Sequence, residues 1–378
     1  MRIKQLSLLN FRNYRELEAD FPDSVTLIIG ENGSGKTNIL ESIYFLSTTK
    51  SFRTSSDRDL VLRGESSLKV GGSFLCNYGS IDVTININNE KKELKINGIT
   101  EKKLSGVIGK ILIVPMLFDD IMIITGSPGI RRKFFDAVLS MTDYIYFDKL
   151  KSYLAVIKHK NSMLRGKGGV SREMLDVWNE KMAEYGSYLV KKRIEVVDFF
   201  NRKISDMVKR YMEVQKNPEE RGRFDFSIAY SFIKEGKYSE EDIRVFLMER
   251  LKALEEKEIQ FETSLVGPHR DDYLFYKNNS QIKRFGSIGE IRFSSIILKL
   301  CQFEYYKNIK NEVPILLIDD IFLELDENSR FFIWDITDRK AQKILTTTDL
   351  KNLPDNIEYE ELLFVKEGNI WKKRSMNL

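Results

Sequence analysis

Residues 25–41 read VTLIIGENGSGKTNILE, and the fold follows from this stretch. An apolar run, Val25 to Ile29, delivers the chain into Gly30-Glu-Asn-Gly-Ser-Gly-Lys36-Thr37, and a helical pattern follows. This is the phosphate-binding pattern G-x-x-x-x-G-K-[ST] in a strand–loop–helix setting. Gly30, Gly33 and Gly35 allow successive backbone N–H groups to turn into one anion-sized hollow. The helix that begins there adds its positive N-terminal end. Lys36 is expected to reach the β- and γ-phosphates, and the Thr37 hydroxyl to ligate Mg2+. Glu31, Asn32, Ser34 and Asn38 complete the expected nucleotide loop.

A second half of such a site is expected at the end of another buried strand. Pro314-Ile-Leu-Leu-Ile-Asp319-Asp320 is an apolar run closed by two acids. Asp319 stands where a P-loop enzyme holds Mg2+, and Asp320 is a candidate general base for the attacking water. Asp319 comes 283 residues after Lys36, so something large is inserted between the two halves. Between them, from Ser127-Pro128 onward, the apolar period changes to that of helices: Phe134, Phe135, Val138 and Leu139, then Tyr153–Leu164, a break at residues 165–169, 171–214, and 240–259. Phe224–Ile228 is the one strand-like interruption. The rest reads as α/β, with an ATP-binding head of residues 1–118 and 260–378 and an inserted helical lobe of 119–259. Strands are expected near residues 2–9 and 17–21 and at 111–114, and an antiparallel meander over 68–98 that turns at Asn88-Asn89-Glu90. Residues 260–276 return to strand character around Gly267-Pro-His-Arg-Asp-Asp272.

Bulk composition narrows the function classes. The net charge is +4 from 60 basic and 56 acidic residues, so any contact with nucleic acid must be a local patch. The high charge content and seven prolines fit a folded, helix-rich chain. Cys76 and Cys301 cannot build a disulfide framework and read as reduced core residues. Two histidines, His159 and His269, leave little scope for a Cys/His zinc site. No apolar run approaches the length of a membrane span, and a cytoplasmic location is expected.

Ser287-Ile-Gly289-Glu290 begins a helical pattern about 25 residues before the acidic strand. ATP-binding-cassette ATPases carry a serine–glycine signature in this order, presented at a helix N-terminus toward the γ-phosphate held by another subunit. Glu324-Leu-Asp326 then follows the acids. With these motifs in place the chain resembles, end to end, the RecF family of SMC-like recombination mediators. The resemblance is carried by Asn10-Phe-Arg-Asn-Tyr14, the P-loop, Lys50-Ser-Phe-Arg-Thr54 with Asp57, Ile96-Asn-Gly98, and Gly126-Ser-Pro128 with Arg131-Arg132 and Phe135-Asp136. Lys160-Asn161, Val177-Trp178, Gly267 to Asp272, Pro314 to Asp320, Glu324 to Asp326 and Thr346 to Asp349 continue it.

The resemblance implies an ABC/SMC-like P-loop ATPase head, with a mixed sheet and an antiparallel β meander, plus a helical lobe with a short arm. It implies ATP and Mg2+ as cofactors, ATP-dependent homodimerisation on double-stranded DNA, slow hydrolysis that releases the dimer, and work with RecR and RecO to load RecA at gaps. It places Arg12 and Asn13 beside the nucleotide, and Ser287, Gly289 and Glu290 at the partner's triphosphate. Lys50, Arg53, Arg131 and Arg132 are DNA-binding candidates, with a solvated loop or internal salt bridges as the alternative for each. His269 to Asp272 reads as a structural cluster. Thr347 and Thr348 stand where transporter relatives carry a γ-phosphate-sensing histidine. Two departures are visible. Ser287-Ile-Gly289-Glu290-Ile291-Arg292 replaces the usual Ser-x-Gly-Gln-Gln-Arg, putting a carboxylate near the partner's triphosphate or toward Arg292. Phe118-Asp119-Asp120-Ile121 replaces Pro-Glu-Asp-Leu. A nucleotide-gated scaffold, or another ABC-type ATPase with little hydrolysis, remains the alternative function.

Overall fold

The computed structural model describes residues 1–166, 171–214, 225–232, 238–353, 357, 359–366 and 368–374. Contacts gather the described residues of Met1–Asp120, Lys209–Arg221 and Arg292–Leu378 into one unit, and those of Ile121–Val208 and Gly222–Ile291 into a second.

The first unit holds two six-stranded sheets. In one, the strands run in the order Asn369–Arg374, Glu361–Lys366, Val25–Ile29, Lys343–Thr347, Ile315–Asp319, Ile113–Met116. All pair in parallel except the antiparallel edge strand Asn369–Arg374. Strands of such a sheet are covered on both faces, so they read as unbroken apolar runs. Leu27, Ile28 and Leu316 to Ile318 are buried accordingly. The helix Lys36–Thr48 follows the P-loop strand and buries Ile39, Leu40, Ile43, Phe45 and Leu46.

The second sheet is the expected meander, with Tyr14–Asp20 at one edge and Ile99–Thr100 at the other. It alternates because one face is wet. In the strand Gly79–Asn88, Ile81, Val83, Ile85 and Ile87 are buried while Asp82 is exposed. Asn89 and Glu90 both take positive φ, 45° and 68°, the conformation that a two-residue hairpin loop requires.

The second unit is mostly helical, built on Pro128–Thr142, Tyr144–Leu164, most of Arg172–Val214, and Glu240–Ala253. A three-stranded sheet, Ser280–Gln281, Tyr273–Lys277 and Phe226–Tyr230, is set among them. Its core contains buried charge. The Arg193 guanidinium donates to Asp136 at 2.7 Å and to the Pro268 carbonyl at 2.6 Å. Burial pushes the Asp271 carboxyl up to about 6, despite Arg193 beside it. Burial likewise brings His269, hydrogen-bonded to the Tyr153 hydroxyl at 2.8 Å, down to about 4. Lys160 and Glu258 meet at 2.6 Å, both fully buried. Glu258 also accepts the Leu265 N–H at 2.7 Å.

Three expectations are corrected. Residues 260–291, placed with the head, belong to the helical unit, tied there by pairs such as Arg131–Asp272 at 2.6 Å. The end of the long helix joins the first unit instead, where the Tyr211 ring packs 4.2 Å from Phe293 and 5.1 Å from Phe332. The strand expected from residue 260 starts only at Tyr273. Before it the chain folds on itself, with Arg270 donating to the Ser264 carbonyl at 2.6 Å and Gly267 at φ +122°. The helix expected over 240–259 is two, Glu240–Ala253 and Glu255–Phe261. The interrupting strand runs Phe226–Tyr230; its expected start at Phe224, and residues 167–169 of the glycine-rich break, lie outside the described residues.

Removing one partner of a buried ion pair leaves an uncompensated charge, at a cost of about 3–5 kcal/mol. Glu258→Ala is expected to lower stability by about that amount in urea unfolding. A loss below about 1 kcal/mol would show that Lys160 finds compensation elsewhere.

Candidate nucleotide site

The parallel sheet assembles the site because of its strand order. The strand Lys343–Thr347 lies between the P-loop strand and the acidic strand, with Thr346 opposite both Ile28 and Asp319. One Asp319 oxygen accepts the Thr37 hydroxyl at 2.9 Å and the Thr346 hydroxyl at 2.8 Å. The Thr346 oxygen in turn accepts the Asp320 N–H at 3.0 Å. Three segments far apart in sequence therefore converge on one carboxylate.

The loop is shaped by its glycines and their neighbours. Gly33 and Gly35 take φ of +80° and +117°, which side-chain-bearing residues avoid. A Cβ on Gly35 would lie 2.6 Å from Asn13 Nδ2 and 2.7 Å from the Tyr14 hydroxyl. Those groups bind the loop itself: Asn13 donates to the Ser34 carbonyl at 2.9 Å and Tyr14 to the Gly35 carbonyl at 3.1 Å. Lys36 is buried, its ammonium donating to the Gly30 and Glu31 carbonyls at 2.9 and 3.2 Å and lying 3.9 Å from Asp320.

Electrostatics concentrate at the two acids. Burial raises the Asp319 carboxyl, partly offset by the Thr346 and Thr37 hydroxyls. Burial raises Asp320 as well, Lys36 opposing and Asp319 adding to the shift. Asp320 sits in the left-handed region at φ +49°, and its buried Oδ1 has no hydrogen-bond partner among the described residues. The Ser34 hydroxyl is likewise buried without a partner.

These features fit a triphosphate with Mg2+. Asp320 Oδ1 and the Ser34 hydroxyl are buried without a partner among the described residues, a Cβ on Gly30 or Gly35 would collide with its neighbours, and Thr37 with Asp319 could hold the cation. No cluster of three or more His, Cys, Asp or Glu suited to a metal occurs among the described residues.

A cleft of about 480 Å3 opens over the loop, lined by Asn13, Asn32, Lys36, Thr37, Arg53 and Asp320 among others. A larger one of about 600 Å3 adjoins it at Val61 and Arg63. Its rim mixes Arg58 with Asp57, Glu65 and Glu90 and offers no phosphate cradle, so the smaller cleft is the candidate site.

The remaining expected residues fall in several places. Arg12, Asn13 and Arg53 line the phosphate cleft, whereas Lys50 is exposed on the adjoining loop. Arg131, a DNA candidate from sequence, is buried. Its guanidinium is held by both Asp272 oxygens at 2.6 and 2.8 Å and by the Gly126 carbonyl at 2.8 Å, so its charge is spent inside the fold. Arg132 donates to the Asp271 carbonyl at 2.7 Å. Thr347 is buried and its hydroxyl closes a turn on the Asp349 carbonyl at 2.8 Å. The threonine delivered to the acids is Thr346, missed from sequence because only the strand order singles it out.

The signature segment lies in the second unit. Ser287 caps the helix Ile288–Lys310, with Glu290 N–H donating to its hydroxyl at 3.3 Å and its own N–H donating to Glu290 at 2.8 Å. This is a capping box. Glu290 also pairs with Lys277; burial works against its charge, but Lys277 and the Ser287 N–H hold its carboxyl below the usual range. The carboxylate thus has partners within its own chain, while the Arg292 guanidinium lies 4.7 Å over the Phe118 ring. Asp326 caps the helix Glu327–Ile336 through Ser329 N–H at 2.9 Å; the Glu324 side chain lies outside the described residues. No helix among the described residues is long and apolar enough to cross a membrane.

Known proteins resemble this chain along nearly its whole length. Residues 2–367 match the family described as the RecF/RecN/SMC N terminal domain. The DNA replication and repair protein RecF of Streptococcus gordonii is 34% identical over 376 residues, which cover 98% of this chain and 100% of that protein. RecF of Streptococcus thermophilus is 32% identical over 377 residues, 99% of this chain and all of the relative. A solved structure of the recombination mediator protein RecF with ATP in the RecFOR pathway aligns at a TM-score of 0.88 and 28% identity, covering 98% of this chain and 97% of that one. An Smc head bound to the C-winged helix domain of ScpA, 17% identical with a TM-score of 0.55, shares the fold. With its P-loop, its paired acids and a full-length match in sequence and in structure, the chain belongs to the RecF family of SMC-like ABC ATPases.

Proposed function

We propose that this chain is an ATP-dependent DNA-binding protein of recombinational repair, a clamp that closes with ATP and opens on slow hydrolysis. The observation that carries the reading is the Asp319 carboxylate shared by Thr37 and Thr346, with Lys36 and Asp320 beside it. A relative structure described as RecF with ATP in the RecFOR pathway supports it. On the same support we assign RecR and RecO as partners and RecA loading at single-strand gaps as the outcome.

When bound, Mg2+ and ATP supply the divalent charge and the scissile phosphate. Thr37 and Asp319 hold the cation, and the Lys36 ammonium and the loop N–H groups of Gly33 to Lys36 bind phosphate oxygens. Asp320, whose carboxyl burial raises, would orient the attacking water and take its proton. As an aspartate it reaches one methylene less than a glutamate, and the Thr347 hydroxyl, which donates to the Asp349 carbonyl, cannot act as a base. Both favour a slow switch over a motor.

Ser287 and Gly289 complete the site of a second copy. A Cβ on Gly289 would meet nothing within 4 Å among the described residues, so the glycine leaves room above the first helical turn for a phosphate of the second copy. Glu290 is neutralised by Lys277, which lowers the repulsion that a free carboxylate would exert on the partner's triphosphate.

Light scattering with Mg·ATP and duplex DNA tests the clamp. Wild type is expected to dimerise, Lys36→Ala to stay monomeric, and Asp320→Asn to form a long-lived dimer. A wild type that stays monomeric, or that turns over faster than about 10 s⁻¹, contradicts the switch. Duplex binding is expected to be phosphate-directed, so Lys50→Ala should weaken it on every sequence and reduce the log–log salt slope by about 1. Arg131→Ala should instead lower the melting temperature. Equal loss of DNA affinity in a fully stable Arg131→Ala protein would return that residue to the DNA surface.

A further inference from the structure

We propose that Glu41 is a positioning residue of the nucleotide site, holding Arg12 and the loop that carries Arg53 against the P-loop helix. The proposal rests on the ATP-site reading above.

Glu41 lies five residues after Lys36 on the same helix and is fully buried. An ionised carboxylate in such a place is tolerated only if it is paired and hydrogen-bonded. Its partners come from two separate segments. Arg12, at the tip of the first hairpin, donates Nε and Nη2 to the two carboxylate oxygens at 2.8 and 2.7 Å, the bidentate geometry that fixes a guanidinium in plane. Ser51, in the loop after the helix, donates its hydroxyl to the same carboxylate, and Arg53 of that loop lies 3.9 Å away. The Ser51 oxygen also accepts the N–H groups of Arg53 and Thr54 at 2.8 and 3.0 Å. Glu41 therefore sets the backbone of the loop as well as the charge.

Both arginines reach the phosphate cleft. Arg12 holds a left-handed backbone at φ +55°, and its third guanidinium nitrogen donates to the Asp59 carbonyl at 2.7 Å. Arg53 donates to Asn38 at 2.9 Å, Asn38 to Asn13 at 2.8 Å, and Asn13 to the Ser34 carbonyl of the P-loop at 2.9 Å. One buried carboxylate thus ties the hairpin tip and the following loop to the phosphate cradle without facing the phosphates itself. Two guanidiniums beside the Lys36 ammonium repel one another, and the carboxylate between them offsets that repulsion before an anion arrives. The benefit is preorganisation: the cations are in place and need not be gathered during binding.

The test is Glu41→Gln in the full chain, isosteric but uncharged, with Ser51→Ala as the milder partner variant. Melting temperature without nucleotide, the Kd for Mg·ATP and the split of KM from kcat are measured for each. Glu41→Gln is expected to weaken ATP binding about tenfold and raise KM in step, with kcat changed by less than about threefold. Ser51→Ala should weaken binding about two- to threefold. A merely structural carboxylate would lower the melting temperature and leave Kd and KM at wild-type values, which overturns the proposal. If Glu41→Gln does not fold, wild-type affinity in Ser51→Ala overturns it alone. Lys36→Ala separates the two readings: its loss of ATP binding upholds the site even where Glu41 fails, whereas a wild type that binds no ATP ends both.

Discussion

The head depends on the carboxylate of Asp319 and the two hydroxyls it accepts. Thr37 brings the P-loop helix, Thr346 the neighbouring strand, and Asp319 its own strand to one point at the ends of the parallel sheet. Burial makes that carboxylate costly, and the hydroxyls offset only part of the cost. A cation beside it would offset the rest, and the Oδ1 of Asp320 and the hydroxyl of Ser34, buried without a partner among the described residues, belong to the same site.

A similar economy governs the charges around the site. Arg12 and Arg53 are steadied by Glu41, Glu290 is steadied by Lys277, and Arg131 is consumed by Asp272. Each of these charges has an intramolecular counterpart, and exposure then decides which remain available. Arg53 is half exposed while Arg131 is almost wholly covered, so two arginines that both read as DNA candidates stand in different surroundings.

The sequence carried the P-loop, the acidic strand, the meander and the helical insertion, because each writes its physical need as a local pattern: glycines at positive φ, an unbroken apolar run, alternation of two, a period near 3.6. The helix start at Ser287 was equally local. What was not legible depends on distant partners. Thr346 matters because its strand lies between two others, a fact of topology. Glu41 looks like any helix-surface glutamate until Arg12 and Ser51 arrive from other segments. Of the strand character expected over 260–276 only the part from Tyr273 forms a strand, because Gly267 and Arg270 close a turn that apolar alternation does not report. The domain boundary shifted for the same reason: residues 260–291 follow their ion pairs into the helical unit.

The central claim is that the phosphate loop of one copy is completed by Ser287 of another. ATP turnover in a mixture of Lys36→Ala and Ser287→Arg chains tests it most directly. Neither variant alone should hydrolyse ATP above background. Mixed in equal amounts they should recover turnover clearly above that of either alone, since a mixed dimer keeps one site with an intact Lys36 facing an intact Ser287. Full activity in Ser287→Arg alone, or a mixture as inert as its parts, would contradict a site shared between two copies.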